Sequence, residues 1–303
     1  MKKIILSSVL AAALLFSSCT AGGGGAGVPS GTDREGNAIS LPGRIDRIIV
    51  MGPSNVEIVA ALGAADKIAA IDSYSVGIPG VPADIPVFDM LSPDGERMAA
   101  LAPDAIFITG MSKVEGDDPL RLVADSGICV AYIPNSPTIG DIMEDIRFLA
   151  KALGAEEKGE ALIAGMQSEI DIIRETAGQA VTKKTVYFEI SAAPFMYSFG
   201  SGTFLNEMIE IAGAENIFAG HDSWLAVTDE AVPQANPDVI LTSVDYLDDP
   251  VAEILSRPGW AGIAAVQNAD VYRIDADASS RPSHNIVTAL RQIAEAVHPE
   301  LFK

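Results

Sequence analysis

Short apolar runs that alternate with amphipathic stretches, a long helical region in mid-chain, and a weak internal repeat on either side of it predict an α/β chain of two similar lobes. The 303 residues suffice for two domains, and 49% hydrophobic against 20% charged residues exclude solvated disorder. The 20 Lys and Arg against 41 Asp and Glu give a formal charge of −21, which would repel phosphate backbones and anionic lipid headgroups. Nucleic-acid binding is therefore excluded as an expectation.

The N-terminus reads as an export signal. Lys2 and Lys3 precede an apolar run from Ile4 to Phe16, about 13 residues, too short for a bilayer core that needs roughly 20. Phe16-Ser17-Ser18-Cys19 resembles a bacterial lipobox, with Phe16 in place of the usual Leu, and implies cleavage at 18 and lipidation of Cys19. Without Lys2 and Lys3 the mature chain carries 18 basic and 41 acidic residues, a charge of −23. The Gly-rich stretch 20–32 reads as a flexible tether. Cys129, in the apolar segment SGICVAYIP, then has no intramolecular disulfide partner and reads as a core strand residue.

Along the body, RIIVMG (47–52), KIAAID (67–72), AIFITG (105–110) and CVAYIP (129–134) read as buried strands, with helices at 55–62 and 96–101 between them. From 138 to about 179 the pattern is helical, broken only at Leu153-Gly154-Ala155. Strands return at 185–190, 239–244 and 271–275, with helices at 204–213 and 286–297. ERMAALAPDAIFIT (96–109) aligns without a gap on EAVPQANPDVILTS (230–243), and LGAADKI (62–68) resembles AGAENIF (212–218). Two lobes place a cleft between them, a common location for ligand sites.

No GxSxG, HExxH or GxxxxGK[ST] motif occurs. The three histidines would all have to converge with a carboxylate to build a zinc or manganese site, so neither a resident metal nor a cofactor is expected. His298 reads as an exposed or capping residue, and Trp260, in RPGW, as structural.

The ordered set TDREGNAISLP, RIIVMGPSNVEIVAALGA, ERMAALAPDAIFI, the long helix, GTFLNEMIEIAGAENIF, W-x-x-V-x-x-E, NPDVILT, RPGW, AVQNADVYRID and RPSHNIVTALRQIAEAVHPELF resembles the helical-backbone (class III) solute-binding proteins of ABC importers for iron-siderophore, haem and cobalamin. The resemblance spans residues 33–303. It implies two Rossmann-like lobes joined by a single long helix with the ligand cleft between them. The divisions expected are signal 1–18, tether and lead-in 19–44, N-lobe 45–153, linker helix 154–180 and C-lobe 181–303. It also implies a monomeric, membrane-anchored extracytoplasmic carrier with no catalytic residue. In such proteins one Glu on each lobe docks to permease arginines, and Glu96 and Glu230 match those positions.

For the ligand, the resemblance points to Trp224 and Tyr74 as cleft aromatics and to Arg281 as a partner for ligand polar groups. His284 departs from the family pattern and could ligate a metal centre or cap the following helix. Met90 stands near where the N-lobe counterpart aromatic would fall, and Met90, Met111, Tyr197 and Tyr246 are further candidates for the cleft lining or for packing. A ferric siderophore or related iron complex is the preferred ligand, then cobalamin, then haem, the last kept open by Tyr74, His221 and His284. An extracytoplasmic enzyme or scaffold on the same framework is the competing class.

Overall fold

In a computed structural model, residues 31–113 and 118–302 are described. The proposed signal, Cys19 and most of the tether lie outside the described residues.

The lead-in forms a small antiparallel pair, β1 (Gly31–Thr32) and β2 (Ala38–Ile39). Its turn is organised by Asp33, whose carboxylate accepts the amides of Glu35 and Asn37 at 3.0 and 2.8 Å and that of Tyr132 at 2.9 Å. A buried acceptor satisfied from both sides fastens this segment to the N-lobe sheet.

The N-lobe contains β3 (Ile48–Val50), α1 (Pro53–Ala61), β4 (Ile68–Asp72), β5 (Val87–Phe88), α2 (Gly95–Ala100), β6 (Ala105–Thr109), α3 (Arg121–Asp125), β7 (Cys129–Ile133) and α4 (Ile139–Leu153). Its five strands are all parallel in the order β5-β4-β3-β6-β7. Strands β3, β4, β6 and β7 are buried at every position, as a parallel sheet covered on both faces requires. After Gly154, which takes the left-handed conformation that ends α4, the helix α5 (Glu156–Ala177) runs 22 residues, about 33 Å.

The C-lobe follows with β8 (Thr185–Glu189), β9 (Tyr197–Phe199), α6 (Phe204–Ile211), β10 (Glu215–Asn216), β11 (Trp224–Ala226), α7 (Ala231–Ala235), β12 (Val239–Thr242), α8 (Pro250–Ser256), α9 (Ala264–Asn268), β13 (Val271–Arg273), α10 (Ala276–Ser280) and α11 (Ile286–Val297). Its parallel sheet, β10-β8-β12-β13, repeats the N-lobe order β4-β3-β6-β7 without the edge strand. The internal repeat is thus structural: α2 leads into β6 as α7 leads into β12. Gly63 and Gly213, equivalent in the second repeat, both sit at positive φ (76° and 74°) just past α1 and α6. What the C-lobe adds is a two-stranded antiparallel ribbon, β9–β11, with no counterpart among the described residues of the N-lobe.

Three apolar clusters hold this together. One covers the outer face of each sheet, and the third runs through both lobes along α5, where Ile163, Met166, Ile170 and Ile173 are buried. The C-lobe also buries an ion pair: Arg257 donates to both carboxylate oxygens of Glu189 at 2.7 and 3.1 Å and stacks over Trp260 at 4.2 Å, which places Trp260 in the core. His298 is the C-cap of α11, in line with the capping alternative, but is 1% exposed, so the alternative of an exposed side chain fails; its Nε2 lies beside Gly213, in the turn after α6.

Candidate functional site

A cleft of about 510 Å³ lies between the lobes, in the size range of small-molecule sites. Its N-lobe wall is built from the carboxyl ends of β3, β4, β6 and β7, which supply Gly52, Tyr74, Thr109 with Met111, and Ile133 to Asn135. Ligand crevices of open parallel sheets occur at this edge because the strand-to-helix turns converge there.

Asp72, fully buried at the end of β4, organises that wall. Its carboxylate accepts the Gly52 amide at 2.7 Å, the Tyr74 amide at 2.9 Å and the Ser75 hydroxyl. Tyr74 is thereby held on a fixed turn with its side chain 59% exposed. Gly52 has φ 102°, and a Cβ there would meet Asn55 Nδ2 at 3.2 Å, so this approach requires glycine. The start of α1 (Pro53, Ser54, Asn55) faces the cleft and has no side-chain cap. Met90 and Leu91 complete the wall, with the Met90 carbonyl accepting from Ser112 Oγ at 2.7 Å.

The C-lobe wall is Asp245, Asp277, Ser280, Arg281 and Pro282. Arg281 is held on two sides: Nη1 donates to Glu57 Oε1 at 2.8 Å, and Nη2 lies 2.6 Å from Asp277. Glu57, on α1 and only 7% exposed, also accepts from Ser283 and from Asn285 Nδ2 at 2.9 Å. One buried N-lobe carboxylate therefore gathers three C-lobe side chains just before α11. A reciprocal contact exists, because Glu207 on α6 accepts the Ile139 amide at the start of α4, at 2.8 Å. Glu57 and Glu207 stand at equivalent places in the repeat, six residues before Gly63 and Gly213, and each reaches the last helix of the opposite lobe.

Of the expected ligand residues, Tyr74, Met90, Met111 and Arg281 line this cleft, whereas Tyr197, Trp224, Tyr246 and His284 do not. Tyr197 and Trp224 share one face of the β9–β11 ribbon, because Trp224 pairs with Phe199 and Ala226 with Tyr197. Trp224 packs edge-on against Phe199 at 6.1 Å and stays 41% exposed. The Tyr246 hydroxyl accepts the Ala192 amide at 2.8 Å, and only its neighbour Asp245 reaches the cleft. His221 packs against Phe218 at 6.0 Å and is not part of the lining. His284 faces a separate space of about 240 Å³ with Glu57, Ile78 and Pro79. Its Nδ1 is buried without a partner, and burial, opposed only by Glu57, holds its pKa below the usual histidine value. Among the described residues no group of three or more His, Cys, Asp or Glu could hold a metal ion.

Residue reasoning missed Glu57, Asp245, Asp277 and Asn135. The signal for Glu57 was present: extending the match of 62–68 with 212–218 backwards pairs it with Glu207.

Glu96 and Glu230 are both exposed, one in the first turn of α2 and the other as the residue before α7. A helix between parallel strands runs back against them, so both residues lie on the carboxyl edge of their sheets, the edge that also forms the cleft.

The chain matches the family model described as periplasmic binding protein over residues 48–278. It is 32% identical over 263 residues to the uncharacterized ABC transporter substrate-binding lipoprotein YvrC of Bacillus subtilis (strain 168), covering 85% of this chain and 81% of that one. A structure described as a possible iron-binding (periplasmic solute-binding) protein from Staphylococcus epidermidis superposes with a TM-score of 0.74 at 25% identity, over 84% of this chain and 99% of its own. Molybdate-binding protein MolA of Haemophilus influenzae is 25% identical over 90% of this chain and 85% of its length. Its molybdate-bound structure superposes with a TM-score of 0.76 over 89% and 91% of the two chains. No described helix is long and apolar enough to cross a membrane. With two parallel-sheet lobes, one connecting helix and an interlobe cleft, the chain belongs to the periplasmic binding protein family, as a substrate-binding protein of the ABC-transporter class.

Proposed function

We propose that this protein captures an iron complex of the siderophore type, or a related metal chelate, between its lobes and delivers it to an ABC permease. The observation that carries the reading is the make-up of the cleft: an apolar wall of Tyr74, Met90, Leu91 and Met111 opposes a polar wall centred on Arg281. A compact chelate with a hydrocarbon periphery and coordinated oxygens is complementary to both walls, and Tyr74 offers a ring face for it. Glu96 and Glu230 are the residues proposed to engage permease arginines, and Cys19 the proposed lipid attachment. A corrinoid, which would have to extend past the lining of this cleft to reach it, is the second reading, favoured by the exposed ring of Trp224 on the β9–β11 ribbon.

Titrating the mature protein with a ferric hydroxamate siderophore, cobalamin and haem while following Trp fluorescence tests this. Saturation by the ferric complex is expected, and no saturation by any of the three would refute it. Charge reversal at Glu96 and Glu230 should abolish uptake and spare ligand affinity; a parallel loss of affinity would mean they belong to the binding site. Cys19→Ser should release the protein from membranes, and continued retention would refute the anchor.

A further inference from the structure

The charge of the cleft narrows the ligand class further. Its charged lining residues are Asp245, Asp277 and Arg281. Arg281 is not a free cation, because the buried carboxylate of Glu57 holds it from behind and Asp277 holds it from the front. Three carboxylates thus stand against one guanidinium. Lys113, at the edge of this region, is turned away: it pairs with Glu35 at 2.5 Å and lies 3.7 Å over the ring of Tyr132.

Among the described residues the opposing contribution comes from the uncapped start of α1, equivalent to roughly half a positive charge. It is outweighed by the excess of two carboxylates, and the surroundings add to them, since the whole chain carries −21. The α1 amides still provide a local place for a ligand oxygen.

We propose that the cleft takes a neutral or cationic metal complex that presents acceptor oxygens to the start of α1, and that it excludes polyanionic chelates and free oxyanions. Glu57 is the specificity-determining residue that neutralises Arg281. This rests on the metal-complex reading above. It also separates this chain from MolA, whose structure holds molybdate, by the chemistry of the site and not by the fold.

The test is calorimetric titration of the mature protein with four probes: a ferric trihydroxamate bearing a free ammonium group, its N-acylated neutral counterpart, a trianionic ferric tris-catecholate, and sodium molybdate. The two hydroxamates should saturate the site, with the cationic one weakened by added salt. The tris-catecholate should bind at least 100-fold more weakly and molybdate should give no saturation. Glu57→Gln should shift the ratio of tris-catecholate to cationic affinity by about tenfold, the effect of removing one unit charge on probes that differ by about four charges, at roughly 12 Å across a solvated cleft with a dielectric of about 80. Asp245→Asn, an exposed change with no part in the interlobe contact, should shift it the same way and guards against misfolding of the first variant.

Molybdate saturation, a tris-catecholate bound as tightly as the hydroxamates, or an unchanged ratio in both variants would overturn the charge assignment and leave the metal-complex reading standing. Failure of all four probes to bind would overturn both.

Discussion

Removing the Glu57 carboxylate should loosen the joint between the lobes by a calculable amount. Glu57 is 7% exposed and accepts from Arg281, Ser283 and Asn285, all across the lobe boundary. Breaking a buried ion pair by deleting one partner costs about 3–5 kcal/mol when the other charge is stranded. Here Arg281 is 20% exposed and keeps Asp277 at 2.6 Å, so the stranding is partial and Glu57→Ala should cost about 2–3 kcal/mol. For a body of this size that corresponds to a fall in Tm of about 4–9 °C.

Glu207→Ala removes a single bond to the Ile139 amide, equivalent to loss of a helix cap, and should cost only about 1 kcal/mol. The assay is calorimetry with guanidinium unfolding of both variants, of Arg281→Ala, and of the Glu57→Ala/Arg281→Ala double variant. A double-mutant coupling above about 1 kcal/mol is expected, because Glu57 and Arg281 share one contact. Glu57→Ala within 0.5 kcal/mol of wild type, or strict additivity with Arg281→Ala, would refute the role of this contact.

Three further outcomes follow from buried groups. Burial, reinforced by Asp33, pushes the Cys129 thiol up to about 11, so it should resist thiol reagents at neutral pH in the native protein and react fully in denaturant; ready native labelling would contradict its burial. Arg257→Ala leaves Glu189, fully buried, without its bidentate partner and should lower the guanidinium midpoint by an amount equivalent to about 3–5 kcal/mol, with a small effect ruling out the pair as a structural element. His284 has a folded pKa below its unfolded value, so the unfolded chain binds more protons and stability must fall as pH drops below about 6.5, while above that pH the group contributes no slope. The stability difference between wild type and His284→Asn should therefore be flat above neutrality and shift against the wild type at pH 5.5; an opposite drift would mean that the imidazole gains a partner for its charged form.

The strand and helix pattern of this chain was legible because parallel strands covered on both faces are apolar throughout, and β3, β4, β6 and β7 are buried at every position. The β9–β11 ribbon was not legible. Its two strands have three residues each and are separated by α6 and β10, so the pairing depends on long-range contacts that no local pattern records. The same limit applies to the site. Tyr74 and Met111 could be found because they follow strands, where the sheet edge places them at the cleft. Glu57 stands inside an apolar helix with no local motif to mark it, and only the residues before α11 of the other lobe make it a buried acceptor. His284 stood among the candidates as a departure from the family pattern, yet the turn before α11 sends its side chain and that of Arg281 to different cavities.

The repeat is kept and lost in different places, and that division bears on function. Symmetry is kept in the sheet order, in the turns after α1 and α6, in the reciprocal contacts of Glu57 and Glu207, and in the placement of Glu96 and Glu230. It is lost at the cleft, where the N-lobe wall is largely apolar and the C-lobe wall carries Asp245, Asp277 and Arg281. A symmetric cleft would accept a ligand in two orientations related by exchange of the walls. Unlike walls remove that degeneracy, because turning the ligand over would set its hydrocarbon face against charged groups, at roughly 25 cal/mol for each Å² of apolar surface denied burial. Reciprocal contacts at the joint, from Glu57 and from Glu207, oppose relative movement of the lobes that carry Glu96 and Glu230. On the proposed reading the permease meets the charges of Glu96 and Glu230, and discrimination among ligands rests with the unlike walls of the cleft.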